Sequence, residues 1–165
     1  MAFVKTDEQG HNIVEIEEII FKGKRKIAWD CVQQYLKKYV GLKYIIEETG
    51  ELIHIGSDFP DECANSRYSA KAFGTVGKAK ANASQVIPEL IKNATNGCFS
   101  PNMEEKHRNN AKYGWYRWTV RFSVPICDDK GEKIGKNIFC GTMIIRHALD
   151  GEKYLYDIIN IKKET

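Results

Sequence analysis

From position 114 to 126 the chain alternates with period two. The even positions read Gly114, Tyr116, Trp118, Val120, Phe122, Val124 and Ile126, and the odd ones Trp115, Arg117, Thr119, Arg121 and Ser123. Successive residues of a strand point to opposite faces, so this pattern fits one long strand with a core side and a polar side, not a helix. Two further strand-like runs, 136–147 and 154–162, follow across the turn signals "CDDKGEKIG" and "ALDGEK". An antiparallel meander is therefore the expected C-terminal half. Sorted by the same alternation, Phe139, Met143, Ile145, Leu155, Ile159 and Ile161 belong to the core side, and Thr142, Arg146, Tyr156, Asn160 and Lys162 to the polar side.

Something apolar must cover the core side, and the N-terminal half supplies candidates. In "IAWDCVQQYLKKYVG", Ala28, Cys31, Val32, Tyr35, Leu36 and Tyr39 recur at helical spacing, and Gly41 is a natural stop. "KYIIEETGELIHIGS" reads as a β-hairpin turning at Gly50, with Ile53 and Ile55 on one face and Leu52 and His54 on the other. Residues 58–77 read as a loop with a short helix. Beyond them, "KAKANASQVIPELIKNATNG" carries helical spacing that Pro88 divides into two pieces, and "GCFSPNMEEKHRNN" reads as an exposed loop. The expected fold is α+β: N-terminal helices and a β-hairpin packed with a C-terminal antiparallel β-meander. A charged lead over 1–26, ending in "FKGKRK", precedes a single domain over 27–165.

Composition narrows the partners. With 28% charged residues, a formal net charge of +3 and 165 residues, the chain suits one ordinary globular core and is mildly basic. No apolar window reaches the roughly 18 residues a membrane span needs, so no membrane partner is expected. The five cysteines form no CxxC pair and no cluster at zinc spacing, which predicts a reducing, cytoplasmic home and no bound metal or other cofactor. Phosphate loops, dinucleotide fingerprints, zinc-protease helices and nucleophile elbows are all missing from the sequence. "FGTVGKAK", over 73–80, reads as a flexible entry loop that could touch phosphate. Cys31, on the apolar helical stripe, is expected to be buried.

The polar side of the sheet carries the functional argument. Antiparallel sheets often leave one face in water, and arginines there are commonly just a solvated surface. Here the first strand presents Arg117 and Arg121 with Trp115 and no acid. Guanidinium groups fit phosphates bidentately and aromatic rings stack on unpaired bases, so a single-stranded nucleic acid suits the face.

The order of a helix, the "TGELIHIG" hairpin, the "VIPELIKNA" helix, the "EEKH" loop, the aromatic strand and the closing "YLYDIINIKKE" resembles the barnase–EndoU–colicin–RelE-like (BECR) fold domains in large polyvalent proteins of phages and conjugative elements. The resemblance covers roughly 27–165. It implies a metal-independent ribonuclease of the toxin-like kind, or a DNA-acting relative, in a bacterial host cell. Its implied partners are RNA such as tRNA and an immunity or antitoxin protein. Cleavage of that kind needs a proton acceptor for the 2′-hydroxyl, a proton donor for the leaving oxygen, and cations for charge building on phosphorus. On this account His107 is the general acid or base and His54 a weaker partner. Arg121, Arg117 and Arg146 lie on phosphate, Tyr156 and Lys162 give support, and Trp115 and Thr119 contact nucleic acid. The alternative is a catalytically inert module that binds nucleic acid or protein with the same face.

Overall fold

The structure is a computed structural model that describes residues 2–23, 26–103 and 111–164. Its central element is the strand expected from the alternation, β6 (Trp115–Cys127), paired along its whole length with β7 (Lys133–His147), which in turn pairs with β8 (Lys153–Lys163). The hairpin also forms, as β3 (Lys43–Ile46) and β4 (Glu51–His54). It joins the meander edge to edge: β4 lies parallel to β8, with Ile53 beside Lys153 and His54 beside Tyr154. An ion pair between Lys153 and Glu51, 2.6 Å long, ties the two strands at that junction.

The charged lead contributes a second hairpin, β1 (Ala2–Thr6) and β2 (Asn12–Ile16), in a segment expected to hold no strand. β2 adds to β6 in parallel, Val14 beside Phe122, and buries Val14 and Ile16. β5 (Thr95–Ser100) also pairs with β6, replacing the loop expected there. Eight strands in the order β1-β2-β6-β7-β8-β4-β3, with β5 beside β6, make one mixed sheet. The fold class is α+β.

One face of that sheet is covered by helices. α1 (Trp29–Leu36) continues as a 3-10 turn to Tyr39 and buries Val32, Leu36 and Tyr39. That stripe is narrower than expected, and Cys31 falls outside it and is exposed. The 58–77 segment is more ordered than its composition suggests, with α2 (Phe59–Ala64) and α3 (Arg67–Lys71). α4 (Gly74–Ala83) starts within the presumed entry loop. Glycine's poor helix propensity hid this start. Gly77 is needed there, because a Cβ would come within 3.0 Å of the Ala72 carbonyl oxygen and 3.1 Å of Ile27 Cγ1. A 3-10 turn over Ser84–Val86 then leads into α5 (Ile87–Lys92), with Pro88 in its first turn, where the absent amide hydrogen costs nothing. The helix is interrupted before Pro88, as expected.

The core lies between these helices and the even-numbered side of β6. Trp118, Val120, Phe122, Phe139, Met143 and Ile145 are all buried there, and Phe122 stacks on Phe139 at 5.7 Å. Close packing makes one glycine critical. A Cβ on Gly97 of β5 would sit 2.6 Å from the Trp118 ring, itself fixed in the core. Gly97→Ala should therefore cost about 1–3 kcal/mol, seen as a lower melting temperature; an unchanged melt would show that β5 moves freely.

β8 departs from simple alternation. Its register against β7 shifts twice, between Cys140 and Thr142 and between Ile144 and Ile145, and Asn160 takes a left-handed conformation at φ 53°. The result is that Ile158, not Ile159, enters the core. Asp157 is buried too, with Lys80 of α4 at 2.7 Å; each side chain is 2% exposed. Asp157 also accepts the N–H of Ile158, and the Tyr68 hydroxyl accepts the N–H of Ile161. Side chains from the strand and from the helix layer thus satisfy amides at the irregular end of β8.

Candidate functional site

Register lines up five strands on the polar face. Trp115 of β6 stands beside Arg146 of β7, Arg146 beside Tyr154 of β8, Tyr154 beside His54 of β4, and His54 beside Lys43 of β3. Alternation predicts a shared face within one strand; it takes the parallel β4–β8 pairing to carry His54 to the row holding Arg146.

The side chains in this row interlock. The Arg146 guanidinium lies over the Tyr154 ring at 4.4 Å and pairs with Asp58 at 3.3 Å. It is largely buried, with 10% of the side chain exposed, so it is no solvated surface arginine. The Tyr154 hydroxyl donates to Asp150 at 2.5 Å. That bond holds the Asp150 carboxyl below its usual range and pushes the Tyr154 phenol up, because it favours the pair as phenol and carboxylate. The His54 ring lies 5.5 Å from the Tyr154 ring, and its Nε2 is 2.9 Å from a Glu152 carboxylate oxygen. With Nε2–H donating to that carboxylate, Nδ1 is the nitrogen left to exchange a proton. Beside Arg146 and Tyr154 an open cleft of about 710 Å³ is lined also by Ser57, Asp58, Ala148, Leu149 and Asp150. Gly56 packs closely behind these groups: a Cβ there would lie 2.8 Å from Asp58 Oδ1 and 3.3 Å from the Tyr154 ring.

Trp115 and Tyr156 form an edge-to-face pair at 4.9 Å next to this row, and Trp115 Nε1 donates to Asn102 at 3.3 Å. Arg117 is exposed and stands one row further along, beside Ile144. Thr119 faces Thr142 on the row beyond. Arg121 is six positions from Trp115, about 20 Å along a strand that rises about 3.3 Å per residue. Lys162 shares the far end, in register with Cys140, itself beside Arg121. The expected grouping of Arg121 and Lys162 with His54 is therefore not what the sheet brings together. His107 lies outside the described residues.

Arg121 has a different occupation. Its guanidinium donates to Glu164 at 2.9 and 2.8 Å and to Asp7, in the turn of the N-terminal hairpin, at 2.6 Å. Asp7 in turn accepts the backbone N–H groups of Gln9 and His11. The Arg121 hydrogen bond, aided by these amides, lowers the Asp7 carboxyl from the ordinary 3.8 to about 2. A depressed folded-state value means the stabilisation is present above 3.8 and fades as pH falls toward 2. Melting curves of wild type and Asp7→Asn should therefore differ by a constant gap above about pH 5 and converge on acidification toward pH 2; a gap independent of pH would show that the clasp contributes nothing through ionisation.

No protein-family model matches the chain, and no curated protein or solved structure does so significantly. The site's chemistry has to be argued from its own groups. Among the described residues no three His, Cys, Asp or Glu side chains gather as a metal-holding group, and no helix is long and apolar enough to cross a membrane. Glu152, Asp58, Asp150 and Tyr154 were not singled out by the sequence, although Asp150 and Glu152 sit in the turn just after Arg146. Their proximity to Arg146 in the chain was the available signal.

Proposed function

We propose that the chain is a metal-independent endoribonuclease of the BECR-like kind, working at the His54–Tyr154–Arg146 row. The observation that carries this is the His54 Nε2 contact with Glu152, 2.9 Å long, on the same row as a guanidinium stacked on a tyrosine. A histidine oriented by a carboxylate is suited to carry a proton, and a guanidinium in the same row, with Tyr154 between them, suits the charge that builds on phosphorus. In the proposed step His54 Nδ1, left free to accept because Nε2 faces Glu152, takes the 2′-hydroxyl proton. The 2′-oxygen attacks phosphorus, the bond to the 5′-oxygen breaks, and an acid protonates that leaving oxygen. The products are a 2′,3′-cyclic phosphate and a free 5′-hydroxyl. Trp115, Tyr156 and Arg117 border the row and would hold the flanking nucleotides by stacking and charge.

The test is an RNA of defined sequence compared with the same strand carrying a 2′-deoxy residue at each cut position. Cleavage should vanish at the substituted linkages; continued cleavage there would rule out attack by the 2′-oxygen.

A second reading has its own support. Arg146 and Arg121 are already paired with carboxylates, and Asp58, Asp150 and Glu152 gather close to the cleft. Such acids oppose a scissile phosphate in the cleft, which favours an inert module that binds nucleic acid through the outlying part of the face, where Arg117 is exposed, or binds protein. Salt-sensitive RNA binding without cleavage would select that reading.

A further inference from the structure

The helix layer carries a groove that the sheet-face site does not use. Arg67 and Lys71, one helical turn apart on α3, form one side; Tyr68 and Val76 line it, and Phe73 stands at its rim, 74% exposed. Its volume is about 600 Å³, and no carboxylate lines it. Tyr68 is fixed in place: its hydroxyl holds the Ile161 amide at 2.9 Å, and Lys80 lies over its ring at 4.9 Å. Both Arg67 and Lys71 are exposed, as Phe73 is.

Phe73 leaves an aromatic ring available to a partner beside two exposed cations. We propose that this groove is a second binding surface, for single-stranded nucleic acid, with an unpaired base stacked on Phe73 and neighbouring phosphates held by Arg67 and Lys71. Charge complementarity selects the occupant: two cations with no acid between them call for a polyanion, and the lone flat ring calls for one whose units have a π face. An acidic peptide would supply the charge without the stacking partner. A duplex would keep its bases stacked inside and out of reach of Phe73. The surface lies on the helix side of the sheet, away from Arg146 and His54, so it goes beyond the cleavage reading and does not depend on it.

Fluorescence anisotropy with a short labelled RNA, 2′-O-methylated throughout so that it reports binding without cleavage, tests this. Phe73→Ala should weaken binding about tenfold or more with an unchanged salt slope, since stacking on one base is typically worth about 1–3 kcal/mol. Arg67→Ala/Lys71→Ala should weaken binding and lower the salt slope by about 1.4, at about 0.7 per phosphate on a single strand. All three residues are exposed, so melting temperatures should stay at the wild-type value, and a duplex or a polyglutamate peptide should be indifferent to Phe73→Ala. Unchanged affinity in both variants, or an equal loss for duplex or peptide, would overturn the proposal while leaving the cleavage reading untouched.

Discussion

Lys80→Met should destabilise the protein by about 3–5 kcal/mol, because it leaves the Asp157 carboxylate buried without its partner. For a chain of this size that is a fall in melting temperature on the order of 10 °C. The environment explains the magnitude. Both side chains are 2% exposed, the contact is 2.7 Å, and the cation lies over the Tyr68 ring. Burial pushes the Asp157 carboxyl up from its ordinary value, and Lys80 opposes that rise. The neighbouring Cys63 thiol, fully enclosed, is pushed up to about 12 by the same burial. Replacing both charges, as in Lys80→Met/Asp157→Leu, should recover most of the loss, short of about 1 kcal/mol for the Ile158 amide that Asp157 now satisfies. A double variant as unstable as the single one would show that the pair stabilises β8 by more than avoiding an unpaired charge.

The second large effect is expected at His54. On the proposed mechanism, His54→Ala should lower the cleavage rate by about 10²–10⁴-fold, the usual contribution of a positioned acid–base group. RNA affinity should stay close to wild type, because the imidazole contacts Glu152 and the Tyr154 ring and is a small part of the surface offered to a polyanion. Glu152→Gln should act in the same direction more weakly, since the amide oxygen can still accept from Nε2–H and orient the ring but without the charge of the carboxylate. A His54→Ala protein that cleaves at the wild-type rate would remove His54 from the chemistry. His54 lies outside the hydrophobic core on the polar side of the sheet, its side chain 27% exposed, so the variant should melt near the wild-type temperature and a rate change can be read as chemistry.

The sequence revealed the part of the fold governed by a strong period. Alternation gave β6 and, as far as Phe122, its buried and polar sides; beyond it Ser123, expected on the polar side, is buried and Ile126, expected in the core, is exposed, while the apolar helical stripe gave Val32, Leu36 and Tyr39. Signals were lost where neighbours override local preference. Gly74 and Gly77 disguise the start of α4 because Gly74 takes a positive φ there, 61°, and Gly77 packs closely against Ala72 and Ile27. β1 and β2 are short and charged, and they become strands by pairing with one another and with β6. The shifts in β8 that exchange Ile159 for Ile158 depend on β7 and on Tyr68, far away in the chain.

The site was legible by composition and illegible by geometry. Arg117, Arg121 and Arg146 do share the polar side, yet cross-strand register puts Arg146 with His54 and puts Arg121 at the other end, held by Asp7 and Glu164. No spacing along the chain could show that β4 adds in parallel to β8, and that single pairing creates the row. Acids that neutralise the arginines were equally hidden, because Asp7 and Asp58 approach from segments that read as lead and loop.

Cleavage of total bacterial RNA by the purified protein in EDTA, with identification of the ends produced, tests the central claim most directly. The account predicts EDTA-resistant cutting that leaves 2′,3′-cyclic phosphates and 5′-hydroxyls. Intact RNA after prolonged incubation, alongside salt-sensitive binding, would contradict it and make the polar face a docking surface.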